Sequence, residues 1–247
     1  MNFIELEKGS KCKKSELGGK GFGLLQLLNL DLNVPRTFII CENQSILSGE
    51  TMRAISAFTE SVLNDDKNST FAVRSSGIAE DGKKRSFAGM FQTFLNVKSD
   101  DVVAKIYEVK NTCSKRLRAY SVQSDENSLE LSIIIQKMMR PVVSGVAFSK
   151  NPITNDRHEV LIEYITGNGE KLVGGEITPS QIIYNKKTQQ YAVELEEGHP
   201  KLSESVITQL CKNVCEIEND LSCPIDVEFC IEKNDRLCYL QARPITT

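Results

Sequence analysis

Two alternating runs, Pro224-Ile225-Asp226-Val227-Glu228-Phe229-Cys230-Ile231 and Leu237-Cys238-Tyr239-Leu240-Gln241-Ala242-Arg243-Pro244, flank the polar Lys233-Asn234-Asp235-Arg236. The pattern reads as a β-hairpin. Side chains alternate faces with period 2, so Asp226, Glu228 and Cys230 share one face, and Tyr239, Gln241 and Arg243 another. A two-residue turn at Asn234-Asp235 sets Lys233 opposite Arg236. Counting back in antiparallel register then pairs Glu228 with Gln241 and Asp226 with Arg243. One face thereby carries two oxygen ligands side by side, with a carboxylate–guanidinium pair next door. A hard cation that bridges phosphates needs oxygen donors of this kind. A surface hairpin with one salt bridge fits the same residues. In this register Cys230 and Cys238 point to opposite faces, so no disulfide between them is expected.

Working outward, 247 residues suffice for one large domain or two lobes with their own cores. With 40% hydrophobic and 26% charged residues, the composition is that of a soluble globular protein. A net charge of -3 argues against a general nucleic-acid binder, so any phosphate affinity must come from local Lys and Arg. No apolar run approaches the roughly 20 residues of a membrane span. The start, Met1 to Lys8, lacks a basic segment followed by an apolar core, so no secretory signal and a cytoplasmic location are expected. The cysteines form no Cys-x-x-Cys pair, and only His158 and His199 could complete a metal site. Reduced thiols rather than zinc are the expectation.

From the N-terminus, Ser15-Glu16-Leu17-Gly18-Gly19-Lys20-Gly21-Phe22-Gly23 runs a glycine-rich turn into an apolar helix ending near Leu30. Such a turn can aim backbone N–H groups at phosphate oxygens, and a tight turn before a core helix looks the same. It is not a Walker A loop, because Gly21 follows Lys20 where that motif needs Ser or Thr. A strand enters through Pro35, a helix spans roughly 43–63, and Thr70 to Val73 form a strand ending in Arg74-Ser75-Ser76-Gly77. The cation and hydroxyls at that strand end suit an anion, or a solvated turn. Ser86-Phe87-Ala88-Gly89 reads as a flap able to close over phosphates, anchored by a strand from Thr93 to Val97. The clearest helix runs from Asp100 to Val122. Polar residues Ser124 to Ser128 mark a boundary between lobes 1–123 and 129–247. The second half is strand-rich. Leu131 to Met139 ends in Gln136 beside Met138, which suits the edge of an adenine slot or a plain core strand. Further strands, a glycine-rich loop at 166–175 and an amphipathic helix from Leu202 to Leu221 lead to the hairpin.

These segments together resemble the nucleotide-binding domain of the phosphoenolpyruvate synthase and pyruvate phosphate dikinase family, a domain shared by the rifampin phosphotransferases. The matching residues are Gly18-Gly19-Lys20-Gly21, Val34-Pro35, Val73-Arg74-Ser75-Ser76, Ala79-Glu80-Asp81, Ser86-Phe87-Ala88-Gly89 with Thr93, Gly145-Val146-Ala147-Phe148, Gly167-Asn168-Gly169-Glu170, Asp226-Val227-Glu228 and Gln241-Ala242-Arg243-Pro244. The resemblance implies an α+β, ATP-grasp-like fold of two lobes with ATP bound between them. It implies that Lys20 and Arg74 contact the phosphates, that Gly89 and Thr93 lie in the loop over them, and that Gln136 and Met138 line the adenine end. Glu228 and Gln241 match the pair facing Mg²⁺, Arg243 an adjacent phosphate contact, and Asp226 a residue orienting Arg243. Lys20, Arg74 and Arg243 are thus the implied catalytic cations. The implied activity is an ATP-dependent phosphotransferase that phosphorylates a histidine on a separate swivelling domain. That histidine then passes phosphate to a small-molecule acceptor such as pyruvate. Neither His158 nor His199 lies in the family's Thr-x-x-His setting. The histidine domain and the acceptor domain are therefore expected on another chain. The alternative is a non-catalytic nucleotide-binding regulatory module.

Overall fold

The computed structural model describes residues 2–41, 46–77, 92–121 and 131–245, without the side chains of 114–121, 171 and 173. It divides into two compact units, Met1–Asn29 with Pro35–Met138, and Leu30–Val34 with Met139–Thr247. Both are built of helices and antiparallel sheet, the α+β class expected.

In the first unit the sheet order is β1 (Phe3–Glu5), β2 (Thr37–Ile40), β5 (Leu131–Lys137), β3 (Phe71–Gly77) and β4 (Thr93–Val97). The faces follow from alternation along each strand. Phe38, Ile40, Ile133, Ile135, Phe71 and Val73 point to one side and are buried against α2 (Gly49–Asp65) and α3 (Val102–Ser121). Ile55, Phe58 and Val62 of α2, and Val102, Ile106 and Val109 of α3, complete this core. Each such side chain stabilises the fold by about 1.5–3 kcal/mol. Ser48 caps α2 by accepting from the Thr51 N–H at 3.1 Å. The helix expected from Asp100 opens as a 3₁₀ turn, Ser99–Asp101, and continues as α3. The opposite side of the sheet carries Thr37, Ile39, Ser132, Ile134, Gln136, Arg74 and Ser76, and α1 (Lys14–Asn29) packs there.

The expected boundary segment, 124–128, lies outside the described residues. The division itself comes after β5, at Met138–Met139. β5 hydrogen bonds between β2 and β3, with Ile133 and Ile135 buried in the first core, so the strand expected to open the second lobe belongs to the first.

The second unit has the sheet order β11 (Leu237–Pro244), β10 (Ile225–Ile231), β6 (Val143–Phe148), β7 (Glu159–Thr166), β8 (Ser180–Asn185) and β9 (Tyr191–Glu194). A short helix, α4 (Glu170–Val173), sits in the expected glycine-rich loop. The amphipathic α5 (Glu204–Leu221) packs on β10 and β11 through Val206, Leu210, Val214 and Ile217. Its Asn213 donates to the buried Tyr239 hydroxyl at 2.6 Å. Along the outer edge of β11, Tyr239 N–H donates to Asn33 O at 2.8 Å, and Asn33 Nδ2 donates to Leu237 O at 2.9 Å. Residues 30–34 therefore cover what would be an open sheet edge.

The hairpin register has Glu228 opposite Gln241 and Asp226 opposite Arg243, the two expected pairs. The route between them differs from the expectation. The turn is a 3₁₀ segment, Lys233–Asp235, with Asn234 and Asp235 at φ 66° and 59°, and it displaces the first pairs by one residue. A β-bulge between Glu228 and Phe229, which leaves Leu240 unpaired, restores the count. Two expectations are corrected as a result. Tyr239 pairs with Phe229 and so lies on the face opposite Gln241. Cys230 and Cys238 are direct cross-strand partners rather than residues of opposite faces, and both are buried free thiols.

Candidate functional site

The first unit gathers its candidate residues on the α1 side of its sheet. Thr93 and Arg74 are cross-strand partners, and Arg74 in turn is opposite Ile134. Gln136 lies two positions further along β5 on the same side, between Ala72 and Thr37. α1 brings Lys20 to this side, with Nζ donating to the backbone oxygen of Ser75 at 3.3 Å. Lys20 is thus fixed beside the residue that follows Arg74. The Arg74 Nε is buried with no hydrogen-bond partner. Leaving a buried guanidinium nitrogen unpaired costs more than its hydrogen bond would return, so an anionic oxygen supplied at this position fits the site. Gln136 is 2% exposed and donates from Nε2 to Thr37 Oγ1 at 3.2 Å, while Thr37 donates to Pro35 O at 2.7 Å. Met138 follows β5, half-buried, its N–H bonded to Thr70 O at 2.8 Å. Gly89 and the flap around it lie outside the described residues.

Leu17 and Gly18 anchor the glycine-rich turn. Gly18 interrupts α1 at φ 69° and ψ 175°, a conformation nearly confined to glycine. The Ser76 hydroxyl spans this interruption, donating to Leu17 O at 3.0 Å and accepting from Gly21 N–H at 3.3 Å. Ser132 donates to the same Leu17 oxygen at 2.6 Å. Sequence reasoning missed Ser132 and Thr37. The available signal was a polar residue inside an apolar strand, since a hydroxyl buried there must find a partner.

The second unit presents its candidates on the sheet face away from α5. Gln241 is 4% exposed, and Glu228 opposite it is half-buried. Arg243 Nε donates to both oxygens of Asp226 at 2.9 Å, which aims the guanidinium along the same face. On that face the row continues through Val146 to Glu163, which accepts from Gln181 Nε2 at 2.8 Å. Sequence reasoning did not single out Glu163. Of the two histidines, His199 has Nδ1 3.1 Å from Ser180 Oγ, and the backbone N–H of His158 donates to Asp156 Oδ1 at 2.8 Å. Among the described residues no cluster of three or more His, Cys, Asp or Glu side chains is arranged for a metal ion. The Cys238 thiol, hydrogen-bonded to Cys230 and buried, is pushed well above the ordinary range and stays neutral.

The chain belongs to the family described as pyruvate phosphate dikinase, AMP/ATP-binding domain, which matches residues 42–247. It is 32% identical over 99% of its length to the uncharacterized phosphotransferase YvkC of Bacillus subtilis, covering 34% of that protein. It is 30% identical over its whole length to a probable phosphoenolpyruvate synthase of Methanocaldococcus jannaschii, covering 27% of it. To the rifampicin phosphotransferase of Bacillus cereus it is 32% identical over 72% of its length and 23% of that protein. The chain thus spans about a third or less of these curated relatives. Among solved structures, D-alanyl-alanine synthetase A of Vibrio cholerae aligns with 94% of this chain and 55% of its own, at 10% identity and a TM-score of 0.47. No helix among the described residues is long and apolar enough to cross a membrane.

Proposed function

We propose that this chain binds Mg-ATP and phosphorylates a histidine on a separate swivelling domain, which hands the phosphate to a small-molecule acceptor such as pyruvate. The observation that carries this reading is the hairpin, where Glu228 and Gln241 sit directly opposite each other beside the Asp226–Arg243 pair, in a chain of an AMP/ATP-binding family. Magnesium takes oxygen ligands and is commonly held by one or two protein groups together with phosphate oxygens, a demand that one carboxylate and one amide meet. When bound, the ion neutralises charge on the phosphates and orients them.

The chain's own residues divide the remaining work. Lys20 and Arg74 take up phosphate charge, the latter through its buried Nε. Arg243, oriented by Asp226, adds a third cation. Gly89 and Thr93 cover the phosphates, and Gln136 and Met138 take the adenine end. Phosphoryl transfer needs little from a protein beyond positioning and charge neutralisation, which is what three cations and one oxygen pair supply. The carrier histidine and the acceptor pocket belong to further domains, a division of labour supported by the matched segment being about a third or less of its relatives. Buried thiols such as Cys211, Cys230 and Cys238 suit a reducing cytoplasm as the place of reaction.

Incubation with ATP labelled at each phosphate in turn, together with histidine-domain proteins, tests the reading. Label is expected on a partner histidine. Nucleotide binding with no transfer to any such partner would instead establish a non-catalytic regulatory module.

A further inference from the structure

The hydroxyls of Ser76 and Ser132 are the second feature of the glycine-rich turn. Both residues are buried, at 0% and 4% exposure. Ser132 sits in Leu131-Ser132-Ile133-Ile134-Ile135, where an aliphatic side chain would serve sheet packing equally well, and a buried hydroxyl is costly unless bonded. Its partners are the carbonyls of Leu17, at 2.6 Å, and Ser76, at 3.1 Å. A hydroxyl carries one proton, so the shorter contact to Leu17 is the principal donation. Ser76 donates to that same carbonyl and accepts from Gly21 N–H. Two hydroxyls from adjacent strands therefore hold the backbone on either side of Lys20, whose Nζ rests on Ser75 O between the Arg74 and Ser76 positions. Gly18 allows the approach: a Cβ there would stand 2.5 Å from Ser76 O.

We infer that Ser132 is a positioning residue for Lys20, acting with Ser76 as a two-hydroxyl clasp that fixes the glycine-rich turn on the strands beside Arg74. The inference deepens the proposed function and rests on it for the ligand. Ser132 acts through the Leu17 carbonyl, so the effect on nucleotide must pass through Lys20 and be confined to the phosphates.

The test is calorimetric titration of the full chain with Mg-ATP and, separately, with adenosine, in wild type, Ser132→Ala, Ser132→Thr, Lys20→Ala and the Ser132→Ala/Lys20→Ala double variant. Loss of one buried hydrogen bond predicts about a fivefold fall in ATP affinity for Ser132→Ala. Adenosine affinity should be unchanged, and Ser132→Thr, which keeps the hydroxyl, should recover most of the loss. In the Lys20→Ala background the Ser132→Ala change should cost nothing further. Equal losses for ATP and adenosine, or full additivity with Lys20→Ala, would overturn the inference. Amide hydrogen exchange at Lys20 and Gly21 reads the clasp without nucleotide. Faster exchange in Ser132→Ala is expected, and unchanged exchange would overturn it. A wild type that binds no nucleotide would reject the proposed function, while the exchange result would still decide the clasp.

Discussion

Replacing Gly18 by alanine loads two separable costs onto one position. At φ 69° and ψ 175° the backbone occupies a region that side-chain-bearing residues enter only under strain, at about 1–3 kcal/mol. The new methyl would also lie 2.5 Å from the Ser76 carbonyl oxygen and 2.7 Å from its carbon. That carbonyl belongs to β3, which is paired with β4 on one side and β5 on the other, so it cannot withdraw cheaply. Overpacking of this kind adds about 1–3 kcal/mol. The sum, about 2–6 kcal/mol, is a large part of the roughly 5–15 kcal/mol that holds a folded protein together. Gly9→Ala is the control, because Gly9 has φ +80° with nothing within 4 Å of an added Cβ, and it bears the conformational cost alone. Urea unfolding followed by circular dichroism measures both. Gly18→Ala should be the less stable of the two by at least about 1 kcal/mol. Equal midpoints for the two variants would refute the claim that the glycine-rich turn is pressed against β3.

Two other perturbations probe the second unit. A Cβ at Gly145 would meet the Phe229 ring at 2.6 Å, so Gly145→Ala should cost about 1–3 kcal/mol in urea unfolding; an unchanged midpoint would contradict the packing of β6 on β10. Burial pushes the Cys211 thiol from 9.0 up to about 12. The unfolded chain releases that proton first, so the associated stability is complete below pH 9 and is lost as pH rises from 9 to about 12. The slope should approach about 1.4 kcal/mol per pH unit for this group. Cys211→Ala should flatten the pH dependence, and an identical pH dependence in that variant would show that the thiol is not the responsible group.

How far the sequence alone reaches depends on what each residue depends on. The pairs Glu228–Gln241 and Asp226–Arg243 were legible because alternation and hairpin closure are local. The turn and the bulge were not, since nothing in Leu237-Cys238-Tyr239-Leu240 distinguishes a regular strand from one with an unpaired residue. Their opposite displacements cancelled at Glu228, but between turn and bulge they left Tyr239 and Cys238 assigned to the wrong faces. β5 shows a different limit: Ile133-Ile134-Ile135 is apolar on both faces, so its pattern identifies a buried strand without saying which sheet receives it. The clasp illustrates a third. Ser132 is visibly polar in an apolar run, yet the carbonyl it serves, Leu17, is 115 residues away. Long-range partners of that kind become visible only once the chain is folded.

The central claim, that the hairpin holds magnesium for a bound nucleotide, is tested most directly by titrating ATP into the chain with and without Mg²⁺, in wild type and in Glu228→Ala. Saturable binding that requires Mg²⁺ in wild type and falls by at least about tenfold in Glu228→Ala is the expected result, the loss of a charged ligand being worth about 1.5–3 kcal/mol. Binding of equal strength in both proteins, or no binding in wild type, would contradict it.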